Sequence, residues 1–523
     1  MRCSFQRREY RLFKMSSRKQ QVYGAVMSYA VIFTQLLTGL FYTPIILKTL
    51  GQSEYGVYAL VLSCMGYLTI FDTGMHAAFV RFYVQEKEKN ADGLPGLNGL
   101  FLKIFFLLAI ASIVFGVLLS VFSQNVFGGN IKPEEYLVLN KCLKLLALDA
   151  GLTVLNCVFT SLIIANEQFV FGKLVNLFSA VLTPALTLPM LLRGNGAVMV
   201  LFIKLIVDGM AFFMNGVFCL RILRITFDLR KQDTLLWKSI VLFAGAIVVQ
   251  SMVDQFNWQV DKLVLGRVCG TGDISIYSVG SSLNQYYITM ACAVSGVFIV
   301  KVNQLEAQEN MRELNHLFQK TSRLFALLFF WIMSAYIVFG KNFILRWAGT
   351  EYGASYDVGL LIMLPVTISL TQGLGQDIAR AKNKHRLQII LNILVSFLNV
   401  LFSIPLASIY GAVGSAFGTF LAELAICIVI QFVYYQKIIG LDMRAYFIEM
   451  LRIAKGLVIP ALFGRILVKS GWMHADYGSI FLWGIFYTGV YGCSMWLLSV
   501  NVDEKEWIRA VVSTVFRKNR SGR

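Results

Sequence analysis

The sequence predicts an all-α polytopic membrane protein, on three observations. Fourteen strongly apolar segments, each about the ~20 residues of a bilayer crossing, occupy nearly all of the 523 residues. No connection between them is long enough to fold as a separate domain. Lys and Arg gather in alternate connections, as they do in multi-span chains.

Backbone N–H and C=O groups in hydrocarbon must bond within their own segment, and a helix does this. The first predicted span, Val22–Ile46, contains Pro44 near its outer end. The second, Gly56–Tyr83, carries Asp72, His76 and Arg81. Leu100–Phe122 and Leu143–Ile164 flank the longest external connection, where Glu134 and Glu135 are adjacent. Phe169–Leu192 holds Pro184 and Pro189, and Ala197–Leu220 holds Lys204 and Asp208. Ile240–Leu265 carries a polar stripe, followed by Ile274–Val300 and Leu324–Leu345. Val358–Ala379 contains Pro365 and ends around Gln372, Gln376 and Asp377, with Arg380 beyond; that group reads as a gate or as a helix end. Leu387–Tyr410 includes Pro405, and Val413–Tyr435 includes Glu423, which needs a partner in space. Ile453–Val468 is short, crowded by Lys455 and Arg465 and interrupted by Pro460; Ile480–Val500 closes the series. The prolines remove backbone bonds and allow bends.

Basic residues support the thirteenth span, because Lys and Arg stay on the cytoplasmic side of short loops. They cluster in the N-terminal segment (Arg2 to Lys19), at Lys87 and Lys89, from Arg221 to Lys231, at Arg312 and Lys320, from Arg380 to Arg386, and in the tail from Arg517. That parity puts both termini in the cytoplasm and requires an even number of crossings. It also explains the net charge of +18. In a soluble chain such an excess would point to nucleic acid; here it is topogenic and suits an anionic inner leaflet, and no nucleic-acid partner is expected. No small-residue cleavage site follows the basic start, so no signal peptide is expected, and Met15 is an alternative start by its spacing to the first span. The nine cysteines form neither a Cys-x-x-Cys pair nor a metal-like cluster with His, so no disulfide framework, metal or cofactor is expected.

Ionisable groups in hydrocarbon are costly and normally face a cavity or a partner. Asp72 and His76, four residues apart, share a helical face, either as a pair locking two helices or as part of a transport path. In the seventh span Gln250, Asp254, Asn257 and Asp261 fall on one stripe, read as a wetted wall rather than as interhelical glue. Asp254 lies deepest and is the candidate site for proton or sodium coupling; Asp261, nearer the external end, has Lys262 and Arg267 close in sequence. Lys204 and Asp208 read as an i, i+4 pair that neutralises itself within one helix.

A coarse repeat connects the halves: Lys48 to Tyr58 resembles Lys262 to Tyr277, each a span end, a Leu-Gly turn and a new span begun around an aromatic. Both copies start on the cytoplasmic side, which gives a parallel repeat of six plus six spans. The expected organisation is a basic cytoplasmic N-terminus (1–21), an N-lobe (22–220), a basic cytoplasmic linker (221–239), a C-lobe (240–435), two additional spans (436–500) and a basic cytoplasmic tail (501–523).

The run Leu50-Gly51, Tyr55-Gly56-Val57-Tyr58 and Asp72-x-Gly74 leading to Arg81 resembles the first hairpin of bacterial polysaccharide-repeat-unit flippases. These are the O-antigen and capsule translocases of the multidrug/oligosaccharidyl-lipid/polysaccharide exporter superfamily. Asp261-Lys262, Leu265-Gly266 and Tyr277, the segment Phe343 to Gly349 with Glu351-Tyr352, and Ala381 to Arg386 extend the resemblance over the chain. It implies an inner-membrane protein that moves undecaprenyl-pyrophosphate-linked oligosaccharide to the periplasmic leaflet by alternating access between two lobes, with membrane lipids, a polysaccharide polymerase and chain-length machinery as partners. His76 and Arg81 are then the candidates to meet the pyrophosphate, Arg81 being equally an interfacial anchor. Gln35, Tyr42, Asn257, Trp258, Asn284 and Tyr287 are candidates for the sugar path.

A multidrug exporter or a peptidoglycan-precursor flippase would share this architecture. A membrane glycosyltransferase, polymerase or ligase would be expected to carry larger external loops with catalytic groups, whereas Glu134 and Glu135 read as a solvated loop and no phosphate-binding glycine loop is present. The chain is therefore not expected to be an enzyme.

Overall fold

The computed structural model describes residues 17–89, 91–128, 130–230, 234–295, 298–384, 386–472, 476–501 and 504–506. The basic segments before residue 17 and after 506 lie outside the described residues. Among those described, every regular element is helical.

In chain order the helices are α1 Ser17–Leu68, α2 Ile70–Lys89, α3 Leu94–Val121, α4 Ser123–Phe127, α5 Pro133–Ala165, α6 Phe169–Leu192, α7 Ala197–Val217, α8 Thr234–Val268 and α9 Thr271–Ser295. They continue with α10 Ile299–Ala307, α11 Met311–Trp347, α12 Ser355–Thr371, α13 Gly373–Ala381, α14 Arg386–Leu424, α15 Gln431–Tyr434, α16 Met443–Lys455, α17 Val458–Ser470 and α18 Tyr477–Leu498. Nine helical runs among the described residues are long and apolar enough to cross a membrane, ten if the bent pair α12 and α13 is one span. Fourteen is not reached by this measure, and the shortfall lies in particular places.

Two of the nine runs, 50 and 53 residues long, exceed twice the ~20 residues of one crossing. Each contains a glycine where two helices join: Gly51 at φ +71° and Gly411 at φ +59°, values that a side chain opposes. Asp273 caps the second junction, its Oδ1 accepting from the Ala412 N–H at 2.8 Å. The predicted thirteenth span is divided into α16 and α17 by a break at Gly456 and Leu457. Pro460 sits in the first turn of α17, where its missing N–H costs nothing. The predicted tenth span is bent by 48° between α12 and α13.

The chain forms two compact units. The first runs to Ser278 and includes Val400–Ser415; the second comprises Val279–Asn399 and the chain from Ala416 onward. In the first unit α5 lies along α3 and α7, α1 along α6, and α2 along α8. Its aromatic core stacks Phe79 on Phe101 (ring centres 4.3 Å apart) and Phe171 on Phe218 (3.7 Å). The segment after α7 is strapped to α3: Asn98 Nδ2 donates to the Thr226 carbonyl at 3.1 Å, Lys103 Nζ to that of Leu229 at 2.6 Å, and the Asp228 N–H to that of Pro95 at 2.7 Å. Ile225 and Phe227 of this segment pack on the aromatic core.

In the second unit α11 is the central helix, packed against α12, α16 and α18. Buried Arg323 ties it to the C-terminal part. The guanidinium binds both Glu504 oxygens at 2.8 Å, the Ser499 carbonyl at 2.9 Å, and Glu449. Outside the cores, large apolar side chains stay exposed: Leu242 is 79%, Leu192 74% and Phe481 71% accessible. Such a surface suits a lipid environment, since water-soluble chains rarely expose apolar area continuously.

Candidate functional site

The first unit holds an open cavity of about 490 Å³ lined by polar side chains among apolar ones. Helical periodicity builds it. Gln35, Thr38, Gly39 and Tyr42 come from one face of α1, Asn176, Ser179, Ala180 and Thr183 from one face of α6, and Asp208, Ala211 and Asn215 from α7; α5 adds Asn156. Each set follows the three- and four-residue spacing of a helix face.

The lining is cross-linked by hydrogen bonds. Tyr42 Oη and Thr187 Oγ1 are 2.6 Å apart, and Thr187 donates to the Thr183 carbonyl at 2.8 Å, which leaves Tyr42 as the donor. Asn215 Nδ2 donates to Asn156 Oδ1 at 3.0 Å, while Asn215 Oδ1 is buried with no partner. At one end Lys204 reaches two carboxylates, Asp208 at 2.6 Å and Asp149. The pair expected from i, i+4 spacing is thus a triad. The second carboxylate, from α5, holds the ammonium against the neighbouring helix. Asp149 Oδ1 is buried and unpartnered.

Of the predicted sugar-path residues, Gln35 and Tyr42 line this cavity. Trp258 is 46% exposed on α8, and Tyr287 is buried in the second unit, its hydroxyl 3.0 Å from Thr367 Oγ1. Asn284 is buried with its Oδ1 unpartnered.

The other candidates fall into two groups. On α2, His76 Nδ1 lies 2.7 Å from Ser161 Oγ and 3.6 Å from Cys157 Sγ, both on α5, and Asp72 accepts from Thr73 Oγ1 at 3.2 Å. They share a face but bond to different neighbours. Arg81 is exposed, with its guanidinium 4.4 Å from the Phe243 ring centre, a cation–π contact that fits an interfacial anchor.

Along α8, Gln250 Nε2 donates to Asp254 Oδ1 at 3.0 Å, and Asp254 and Asn257 are half-buried. Asp261 departs from the stripe: it is 1% exposed and accepts from Ser403 Oγ at 3.1 Å and Ser415 Oγ at 2.8 Å. Its sequence neighbours turn elsewhere, Lys262 to Gln259 at 3.3 Å and Arg267 to the Asn125 carbonyl at 2.6 Å. Sequence reasoning missed Asp149, Asn156, Asn176 and Asn215; the one available signal was polar residues at helical spacing within apolar runs, as in Asn176, Ser179 and Thr183.

A model of the polysaccharide biosynthesis protein family matches residues 45–357. The chain belongs to that family. Among solved structures, this family member is similar to a lipid II flippase, MurJ, in an inward closed conformation, with TM-score 0.72 and 17% identity over 90% of this chain and 97% of that one. It is also similar to an inward-facing multidrug resistance MATE transporter of the MOP superfamily (TM-score 0.63, 12% identity, 80% and 98% covered). A third likeness is to a MOP superfamily transporter from Pyrococcus furiosus (TM-score 0.56, 12% identity, 82% and 98% covered). No curated protein sequence matches the chain. At these identities the likenesses establish the fold that this member of the polysaccharide biosynthesis family adopts.

Proposed function

We propose that the protein is a flippase that carries a polyprenyl-pyrophosphate-linked oligosaccharide, such as an O-antigen, capsule or exopolysaccharide repeat unit, across the bacterial inner membrane by alternating access. The observation that carries this reading is a hydroxyl- and carboxamide-lined cavity inside a bundle whose exterior is apolar, in a chain of the polysaccharide biosynthesis family. A sugar headgroup cannot cross hydrocarbon unaided because each unpaired polar group costs free energy there, whereas a polyprenyl tail can remain in the lipid. The likeness that covers 90% of the chain is to a lipid II flippase, while that to the multidrug transporter covers 80%. This favours the lipid-linked substrate over a drug.

In this proposal the lobes 22–220 and 240–435 rock about the substrate, His76 and Arg81 meet the pyrophosphate on the cytoplasmic side, and Asp254 with Gln250 and Asn257 couples movement to a proton or sodium gradient. Both termini are cytoplasmic, and the product passes to a polymerase and its chain-length machinery. The test is loss of the protein from its native cell. Lipid-linked repeat units then accumulate on the cytoplasmic leaflet; their continued appearance on the periplasmic leaflet would refute the proposal.

A further inference from the structure

We infer that the cavity walled by α1, α5, α6 and α7 takes the uncharged or amine-bearing sugars of a glycan and excludes anionic groups, both uronic acids and the diphosphate. This deepens the flippase reading and rests on it for the identity of the glycan.

The chemistry of the wall decides the class. Carboxamides and hydroxyls each donate and accept, which matches sugar hydroxyls and N-acyl groups, themselves donors and acceptors. Asn215 is 2% exposed, spends its amide N–H on Asn156, and leaves its Oδ1 without a donor. Buried acceptors are nearly always paired. An unpaired one in a cavity wall therefore calls for a ligand O–H or N–H.

Charge sets the sign. Among the described residues no Lys, Arg or His lines the cavity, and the one ionisable carboxyl lining it is Asp208. Behind it a single ammonium, Lys204, is engaged by both Asp208 and Asp149. Because that cation is already engaged by two carboxylates, it offers no free positive charge to a ligand. An anion entering the cavity therefore meets no free counter-charge, whereas an amine finds the Asp208 carboxylate as an acceptor. The volume, about 490 Å³, suits a short saccharide and lies within the usual span of small-ligand sites, about 300–1,000 Å³.

The test uses three soluble trimers of similar size: triacetylchitotriose, its fully de-N-acetylated form, and trigalacturonate. Binding to the full-length protein in nanodiscs of neutral lipid is measured at neutral pH, where the uronates are ionised and the amines partly protonated. The acetylated and amine forms should bind competitively, and trigalacturonate about tenfold or more weaker than the amine, the scale of one charge-assisted contact. Asp208→Asn should narrow the amine-to-uronate difference while leaving the acetylated trimer bound; Asn176→Ala, which leaves the ion triad intact, should weaken acetylated and amine trimers alike. Equal binding of trigalacturonate, no binding of any trimer, an unchanged order in Asp208→Asn, or an indifferent Asn176→Ala overturns the inference. If Asp208→Asn fails to fold, the wild-type order and Asn176→Ala still decide. Movement of a lipid-linked oligosaccharide by the same preparation separates failure of this inference from failure of the flippase reading.

Discussion

Replacing Lys204 by Met should destabilise the protein far more than neutralising either of its partners. The substitution keeps an apolar stem of similar length and removes the ammonium, leaving Asp149, with a side chain 3% exposed, and Asp208, at 29%, facing each other without a cation. Removing one partner of a buried ion pair costs about 3–5 kcal/mol. Because the side chains of Lys204 and Asp208 are 28% and 29% exposed, the low end, about 3 kcal/mol, is expected. Asp208→Asn instead leaves Lys204 balanced by Asp149 and should cost about 1 kcal/mol or less. The difference, about 2 kcal/mol, corresponds to roughly a thirtyfold change in the folding equilibrium. Equilibrium unfolding in mixed micelles with a rising fraction of denaturing detergent measures both variants. The triple neutral variant Asp149→Asn, Lys204→Met, Asp208→Asn should recover most of the loss. Lys204→Met as stable as Asp208→Asn would refute the reasoning, because the ammonium would then not be what holds the two carboxylates.

Asp254→Asn should abolish gradient-driven headgroup movement while the protein still reaches the membrane, as read by transport in vesicles with and without an imposed proton or sodium gradient; unaltered movement removes Asp254 from the coupling path. Burial disfavours the charged form of Glu504, but hydrogen bonds from Arg323 and the Asn501 N–H, with the charges of Arg323 and Lys320, more than offset it and hold the carboxyl below its ordinary range. A lowered folded value stabilises fully above the unfolded value, about 4.3, and that contribution is lost as pH falls through the folded one. Glu504→Gln should therefore cost about 1–3 kcal/mol at neutral pH, with the gap to wild type closing on acidification; a gap independent of pH contradicts the assignment. Ser403→Ala with Ser415→Ala removes two donors from buried Asp261 and should cost about 1–3 kcal/mol in the same unfolding assay, whereas Arg267→Met should leave Asp261 unaffected.

Much of the fold was legible because apolar runs of bilayer length leave the backbone little choice but helix. The joins at Gly51 and Gly411 were legible as well, since they fall between predicted spans, after Ile46 and before Gly56, and between Tyr410 and Val413. What the runs did not specify is a break inside an apolar run, as where Gly456 and Leu457 divide the predicted thirteenth span. The candidate site was legible only along single helices. Lys204 and Asp208 stand four apart and were readable as a pair, but Asp149 joins them from 55 positions away. Asp261 has Lys262 beside it in sequence, yet successive residues on a helix point in different directions, and its observed donors are hydroxyls 142 and 154 positions distant. Gln35 and Tyr42 were found because a polar residue in an apolar span is conspicuous; Asn176 and Asn215 carry the same signal and were passed over.

Purified protein reconstituted into vesicles with a fluorescent polyprenyl-pyrophosphate-linked oligosaccharide gives the most direct measurement, the fraction of headgroups accessible to an impermeant quencher over time. In protein-free vesicles only the outer-leaflet fraction should be quenched. With the protein, quenching should proceed toward completion as inner-leaflet headgroups cross. A plateau unchanged by the protein, with and without an ion gradient, would contradict the account.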